Sequence, residues 1–371
     1  MNLRGVLIFS GYNHRAIVAF CRFCRENKIL FFIIASGPTD FILISDYKKN
    51  VVETRNTVAI SIDNVIEIKK KITNDYEIIE LLILPSSEYL NRFLLQHRTE
   101  LELNDFIIPL CSIELYQQLS DKYSFSELCK RHNIAVPEEY ESLATINIPF
   151  VAKPKRYFSG RKTVSDKPII VTNDREYTML KKTNLDDFYF QEFISGQSFY
   201  LLFYFSSGGT YSVFSQENLI QQYNGLSIIA AKSSNIHLHK IATDFASLLC
   251  SLTFVGLIMI EVKFFNDRFY MIEANPRLWG PSQLILDAGM DLFDRFAAEN
   301  GLIKEIPTRS YTVGYRYFWS GGIIEDQEKK YSITLHNYDK QSFFDDYAEW
   351  CKSDIYLRPD TTSIFFKELT G

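Results

Sequence analysis

Several protein classes are excluded by what this chain has little of. Six cysteines in 371 residues, at Cys21, Cys24, Cys111, Cys129, Cys250 and Cys351, are too sparse for a disulfide framework. Cys21-Arg-Phe-Cys24 has C-x-x-C spacing, but no second pair or histidine cluster completes a zinc site. It also lies inside an apolar helical pattern, so redox or metal chemistry is not expected there. No sign of charge dominates: 40 basic residues against 45 acidic leave a net −5. That removes a global basic field for nucleic acid or an anionic membrane, and makes any phosphate site a local one. The strongly apolar run near the start, Ile29 to Ser36, falls far short of the ~20 residues a membrane helix needs and reads as a buried strand. Met1 to Arg4 leads at once into a strand pattern without the ordered parts of a signal peptide, so a cytoplasmic location is expected. Repeats and low-complexity tracts are missing too.

What is present is globular. Hydrophobic residues make up 46% and aromatics 15%, with 30 Phe and 22 Tyr, on a chain long enough for two or three domains. Over residues 1–114 short apolar runs (Val6 to Phe9, Leu30 to Ala35, Val58 to Ile62, Leu81 to Leu84, Phe106 to Leu110) alternate with helical patterns. This predicts a doubly wound α/β domain with a parallel sheet. Ser10-Gly11-Tyr12-Asn13, after the first run, lacks the G-x-G-x-x-G of a dinucleotide site and leaves a substrate-binding role open. Asp121 to His132 reads as a helix, and from Ile148 the chain turns strand-rich and α+β. A tail from 306 to 371 holds an aromatic strand candidate, Tyr311 to Trp319.

Leu257 to Lys263 and Phe269 to Asn275 read as the arms of a hairpin. Alternation predicts a buried face of Ile258, Ile260, Val262, Tyr270, Ile272 and Ala274, leaving Glu261, Glu273 and Asn275 together on the other. A three-residue loop, Asn266 to Arg268, would set Glu261 opposite Glu273 at about 5 Å between Cβ atoms. Facing carboxylates repel unless solvent screens them, one takes a proton, or a cation lies between them. A hard divalent ion resolves this most simply. Magnesium suits carboxylate oxygens plus the neutral oxygen of Asn275, with phosphate and water completing its sphere. Pro276 ends the strand, and Arg277 offers a planar cationic fork to phosphate or carboxylate. The competing reading is an exposed hairpin face with ordinary solvated acids.

Glu273-Ala-Asn275-Pro-Arg277 after a partner-strand Glu261, continuing through Leu-Trp-Gly-Pro-Ser-Gln-Leu-Ile-Leu-Asp-Ala-Gly-Met-Asp291, resembles the nucleotide site of the ATP-grasp superfamily, in its carbamoyl-phosphate-synthetase-like, carboxylate–amine ligase branch. Asp121-Lys122, Pro149-Phe-Val-Ala-Lys153-Pro154 and Phe190-Gln-Glu-Phe-Ile-Ser-Gly196 are similar to further family segments, in the family's order, over roughly 115–300. The resemblance implies an ATP-grasp fold of two α+β subdomains over 115–305: a linker helix at 115–147, a lid at about 148–206 and a metal-binding subdomain at about 207–305. A C-terminal extension follows from 306.

It also implies roles. Lys122 and Lys153 would neutralise ATP phosphates, and Gln191, Glu192, Phe193 and Ile194 would form the adenine hinge. Glu261, Glu273 and Asn275 would bind Mg2+, or Mn2+ in its place, and Arg277 would act in catalysis. Ser198 stands where the family often has a ribose-binding acid. The expected activity is an ATP-dependent ligase joining a small-molecule carboxylate, activated as an acyl phosphate, to an amine. No nucleic-acid or membrane partner is implied, and a homodimer is compatible. The rival readings are an ATP-binding module without turnover and a small-molecule phosphotransferase. The chain departs from the pattern at Lys155 to Lys162, where Gly160 is the only glycine of the phosphate-covering loop, and at Gln221, Gln222 and Lys232, which align only loosely.

Overall fold

The computed structural model describes residues 3–143, 146–155 and 168–370. Strands β1 (Arg4–Phe9), β2 (Phe31–Ala35), β3 (Val51–Thr54), β4 (Glu80–Ile83) and β5 (Phe106–Ile107) form a parallel sheet in the order β3-β2-β1-β4-β5. The inner strands β1, β2 and β4 are apolar apart from the opening Arg4 and Glu80 because both faces are covered. Leu7, Phe9 and Ile34 meet the helix Ile62–Tyr76, while Val6, Ile8 and Ile33 meet the helix His14–Glu26. The strand expected over Val58 to Ile62 is not there: Val58 is exposed, Ile62 opens a helix, and the edge strand is β3. Cys21 and Cys24 are free and buried on the first helix, where burial pushes both thiols up, away from redox or metal chemistry.

A second, antiparallel sheet of four strands comprises β6 (Glu139–Tyr140), β7 (Phe150–Pro154), β8 (Ile169–Val171) and β9 (Phe188–Glu192), in the order β6-β9-β7-β8. It closes over a small core of its own around Phe150, Leu180 and Phe188.

The third sheet has seven strands: β10 (Gln197–Phe205), β11 (Tyr211–Gln221), β12 (Ile228–Ser233), β13 (Gly256–Phe265), β14 (Arg268–Asn275), β15 (Arg316–Phe318) and β16 (Thr334–Leu335). The order is β14-β13-β10-β11-β12-β15, with β16 on β11. Phe199, Leu201 and Phe203 pack with the helices Lys122–Arg131 and Lys240–Ser251, while Leu202 and Tyr204 face the opposite core, as the two-residue period of a strand requires.

This arrangement redraws two expected limits. β10, assigned from sequence to a lid ending near 206, lies inside the large sheet between β11 and β13, so the small sheet's last strand ends at Glu192. The tail from 306 supplies β15 and β16 to the same sheet. The chain crosses between sheets at Gly196, where a Cβ would stand 2.2 Å from the Phe264 carbonyl oxygen. Gly196→Ala is expected to cost about 1–3 kcal/mol, read as a lower urea midpoint with unchanged slope. An unchanged midpoint would show that this crossing tolerates displacement.

Candidate functional site

The carboxylate hairpin closes through a two-residue turn. Phe265 pairs with Arg268, and Asn266 and Asp267 both take positive φ, 48° and 56°, as a type I′ turn requires. The expected three-residue loop is therefore corrected. An unbroken ladder from this turn would set Glu261 opposite Ile272, yet Glu261 pairs with Glu273 because a β-bulge absorbs one residue of β14. The two-residue turn and the bulge together set which side chains face the core. Phe269, Met271 and Ala274 join Ile258, Ile260 and Val262 there, whereas Tyr270 and Ile272, expected inside, are half-buried. At the bulge the Ile272 carbonyl accepts a hydrogen bond from Lys153 Nζ at 2.8 Å.

Two lysines reach this point from separate elements. Lys122 is the first residue of the helix Lys122–Arg131, whose N-terminus is capped by the Asp121 carboxylate accepting from Ser124 N at 2.8 Å; its ammonium pairs with Glu273. Lys153 extends from β7 and is buried, which together with the nearby Lys122 charge pulls it down to about 7, against the pull of Glu273 and Glu261. The carboxylates diverge. Burial and the neighbouring Glu273 raise Glu261, whereas Lys122 and Asn275 outweigh burial at Glu273 and hold it below the ordinary range.

The remaining contacts position the pair. Asn275 Nδ2 donates to Glu273 Oε1 at 2.8 Å, and Arg277 Nη2 donates to Asn275 Oδ1 at 3.2 Å. Ser198 Oγ donates to Glu261 Oε1 at 3.2 Å, Asn218 Nδ2 to Ser198 Oγ at 2.9 Å, and Gln216 Nε2 to Asn218 Oδ1 at 2.7 Å. Two facing carboxylates with an amide oxygen beside them fit a hard cation of the magnesium type. Among the described residues no group of three or more His, Cys, Asp or Glu side chains is arranged to hold a metal ion, so such an ion would draw its other ligands from water or phosphate.

Lys122, Lys153, Gln191, Glu192, Phe193, Ile194, Glu261, Glu273, Asn275 and Arg277 all line one cleft of about 890 Å³ between the three sheets. Ser198 is fully buried behind Glu261 and is not on that wall. The Ile194 carbonyl, expected to face adenine, accepts from Lys263 Nζ at 3.1 Å, and the same ammonium lies 5.1 Å from the Phe193 ring centroid. Of the loosely aligned residues, Gln221 reaches the cleft, Gln222 turns to Gly322 and Glu325, and Lys232 pairs with Glu217 at 3.0 Å. The loop stretch around Gly160 lies outside the described residues.

Other wall residues had no signature in the sequence reading. Tyr200 stands opposite Glu261 in register, and its phenol is raised well above the ordinary range by burial and by Glu261 and Glu273. His336, from the tail, bonds Gln221 Oε1 at 2.7 Å, and burial with the Lys263 charge draws it down to about 3. Asn13 Nδ2 ties the first β–α loop to the Leu278 carbonyl at 2.9 Å. No helix among the described residues is long and apolar enough to cross a membrane.

Residues 119–281 match the family model described as the ATP-grasp domain. Among solved structures, the chain is similar to a biotin carboxylase from Campylobacter jejuni in a beta-gamma-ATP complex: 14% identity, TM-score 0.60, covering 82% of this chain and 73% of that one. It is also similar to an ADP complex of N5-carboxyaminoimidazole ribonucleotide synthetase (14% identity, TM-score 0.60, 89% of this chain and 85% of that one). A third match is the biotin carboxylase domain of Hydrogenobacter thermophilus 2-oxoglutarate carboxylase with MgADP and bicarbonate (13% identity, TM-score 0.57, 80% and 69%). No curated protein sequence matches the chain. At these identities the likeness is one of fold.

Proposed function

We propose that the chain is an ATP-dependent ligase that activates a carboxylate as an acyl phosphate and condenses it with an amine. The observation that carries this reading is the Glu261–Glu273 pair, opposed across the hairpin and flanked by Lys122 and Lys153 in one cleft of an ATP-grasp domain. Glu261, Glu273 and Asn275 would hold magnesium, or manganese in its place, and when bound that ion neutralises and orients phosphate oxygens. Lys122 exchanges Glu273 for an ATP phosphate, Lys153 supplies a second positive point charge, and the hinge 191–194 frames the base.

A substrate carboxylate oxygen attacks the γ-phosphorus and ADP leaves. The amine nitrogen then attacks the acyl carbon, phosphate leaves with the acyl C–O bonding pair, and the nitrogen gives up a proton. Arg277 neutralises charge on the transferred phosphoryl group, and catalysis is mainly positioning and charge. The test is mass spectrometry after incubation with ATP, magnesium and a library of amino acids and small acids. The expected product weighs the sum of acid and amine less water, with ADP formed in equal amount. A phosphorylated small molecule that accumulates would make the protein a phosphotransferase instead. Nucleotide bound without ADP release would make it a binding module.

A further inference from the structure

Among the cations on the cleft wall, Arg15 has no task in the scheme above. It is the second residue of the helix His14–Glu26, and three residues hold it, one from β12, one from β15 and one just beyond β15. Its guanidinium carbon lies 3.7 Å from the centroid of the Trp319 ring, while Nη1 donates to the Ile228 carbonyl at 3.0 Å and to the Tyr317 hydroxyl at 3.4 Å. Trp319 is itself anchored, its indole N–H donating to the Glu368 carboxylate at 3.1 Å. A strut between the helix and the Ile228 strand would need only Nη1. The aromatic platform adds orientation: it fixes the plane of the fork and removes rotamer freedom before a ligand arrives.

The other edge of the fork opens on space. Nη2 and Nε have no partner among the described residues. Beside Nη2 stands Gly280, where a Cβ would lie 3.0 Å from Nη2 and 3.2 Å from the guanidinium carbon. Gly280 is not in the left-handed backbone region, so its missing side chain leaves room rather than permitting a turn. Both residues line the same cleft as Arg277, Tyr200 and Trp279, and the buried indole N–H of Trp279 also has no partner among the described residues. Donors left unpaired in such a chamber are costly, and an oxyanion would satisfy them. Tyr200, opposite Glu261 in register, lines the same cleft and joins this chamber to the carboxylate pair.

We propose that Arg15, with the space Gly280 leaves at Nη2, binds an oxyanion, a carboxylate or phosphate, carried by the amine-bearing substrate. The acceptor is then an anionic amine of the amino-acid or amine-phosphate class rather than a neutral amine. That the anion belongs to the acceptor rests on the ligase reading; the anion site itself does not.

The test is titration calorimetry of the full chain with MgADP present, using succinate in one arm and inorganic phosphate in the other. Wild type is expected to saturate with one of them, which identifies the group as carboxylate or phosphate. Arg15→Gln is expected to weaken that binding about 10- to 100-fold and Arg15→Lys less, because the charge survives without the fork. Gly280→Ala, which keeps the charge and fills the space, should weaken it about threefold or more. Thermal melts report whether each variant is folded. Equal binding in wild type and Arg15→Gln, or no saturable binding of either anion, overturns the site. Arg15-dependent binding in a protein that releases no ADP with any acid overturns the ligase reading and the acceptor assignment, and leaves the anion site standing.

Discussion

Glu273→Gln is expected to lower acid-dependent ADP release on the order of a thousandfold while the melting temperature moves little. Glutamine fills nearly the same volume and keeps an oxygen that can accept from Asn275 Nδ2, so the hairpin loses little packing. What disappears is one of the two opposed anions. The partner of Lys122 goes with it, and so does half of the negative charge proposed to hold a divalent ion between Lys122 and Lys153. β14 carries no carboxylate besides Glu273, so none on the same strand can swing into its place. Turnover within tenfold of wild type would remove the metal assignment. A collapse in melting temperature would show the pair to be structural.

The second large effect lies off the cleft wall. Arg22 and Asp360 are both almost fully buried. Arg22 Nε donates to Asp360 Oδ2 at 2.8 Å and Nη2 to Oδ1 at 3.0 Å, while the Tyr47 hydroxyl donates to Oδ2 at 2.5 Å. Asp360→Ala strands a buried guanidinium and a phenol, and is expected to cost about 3–5 kcal/mol in chemical denaturation. Replacing both partners, as in Arg22→Met with Asp360→Leu, should cost less than the single change, because no unpaired charge is left behind. A single-variant loss under about 1 kcal/mol would show that water reaches the pair.

The pH dependence has a definite sign. Burial pushes the Asp360 carboxyl up, but Arg22, Tyr47 and Arg25 outweigh it and hold the group below its ordinary 3.8. A depressed native value means the pair's stabilisation is complete above that ordinary value and fades as pH falls through the native one. Wild type and Asp360→Asn should therefore converge in stability only in strong acid.

How much of this was legible in sequence follows from how far apart the partners lie. The parallel sheet is visible because strands buried on both faces read as unbroken apolar runs. The opposed Glu261 and Glu273 are visible because each is a charge amid alternating apolar residues. The bulge that brings them together is not, since a one-residue slip leaves no mark in composition and the turn alone argues against the pairing. Ser198 on β10 and Gln216 and Asn218 on β11 are unrelated polar residues until register joins them. Arg15 acquires a role only from Trp319, hundreds of positions away, and β15 and β16 are too short to show a period.

The placement of β15 also bears on how the molecule assembles. β12 finds its outer neighbour in Arg316–Phe318, and β11 takes on Thr334–Leu335, long after the ATP-grasp segment itself has been translated. A nascent chain that has emerged only as far as the carboxylate hairpin therefore carries an open sheet edge, and closing it demands a contact of high sequence separation. Docking of the tail closes that edge, and until it does the growing chain offers it to edge-to-edge association.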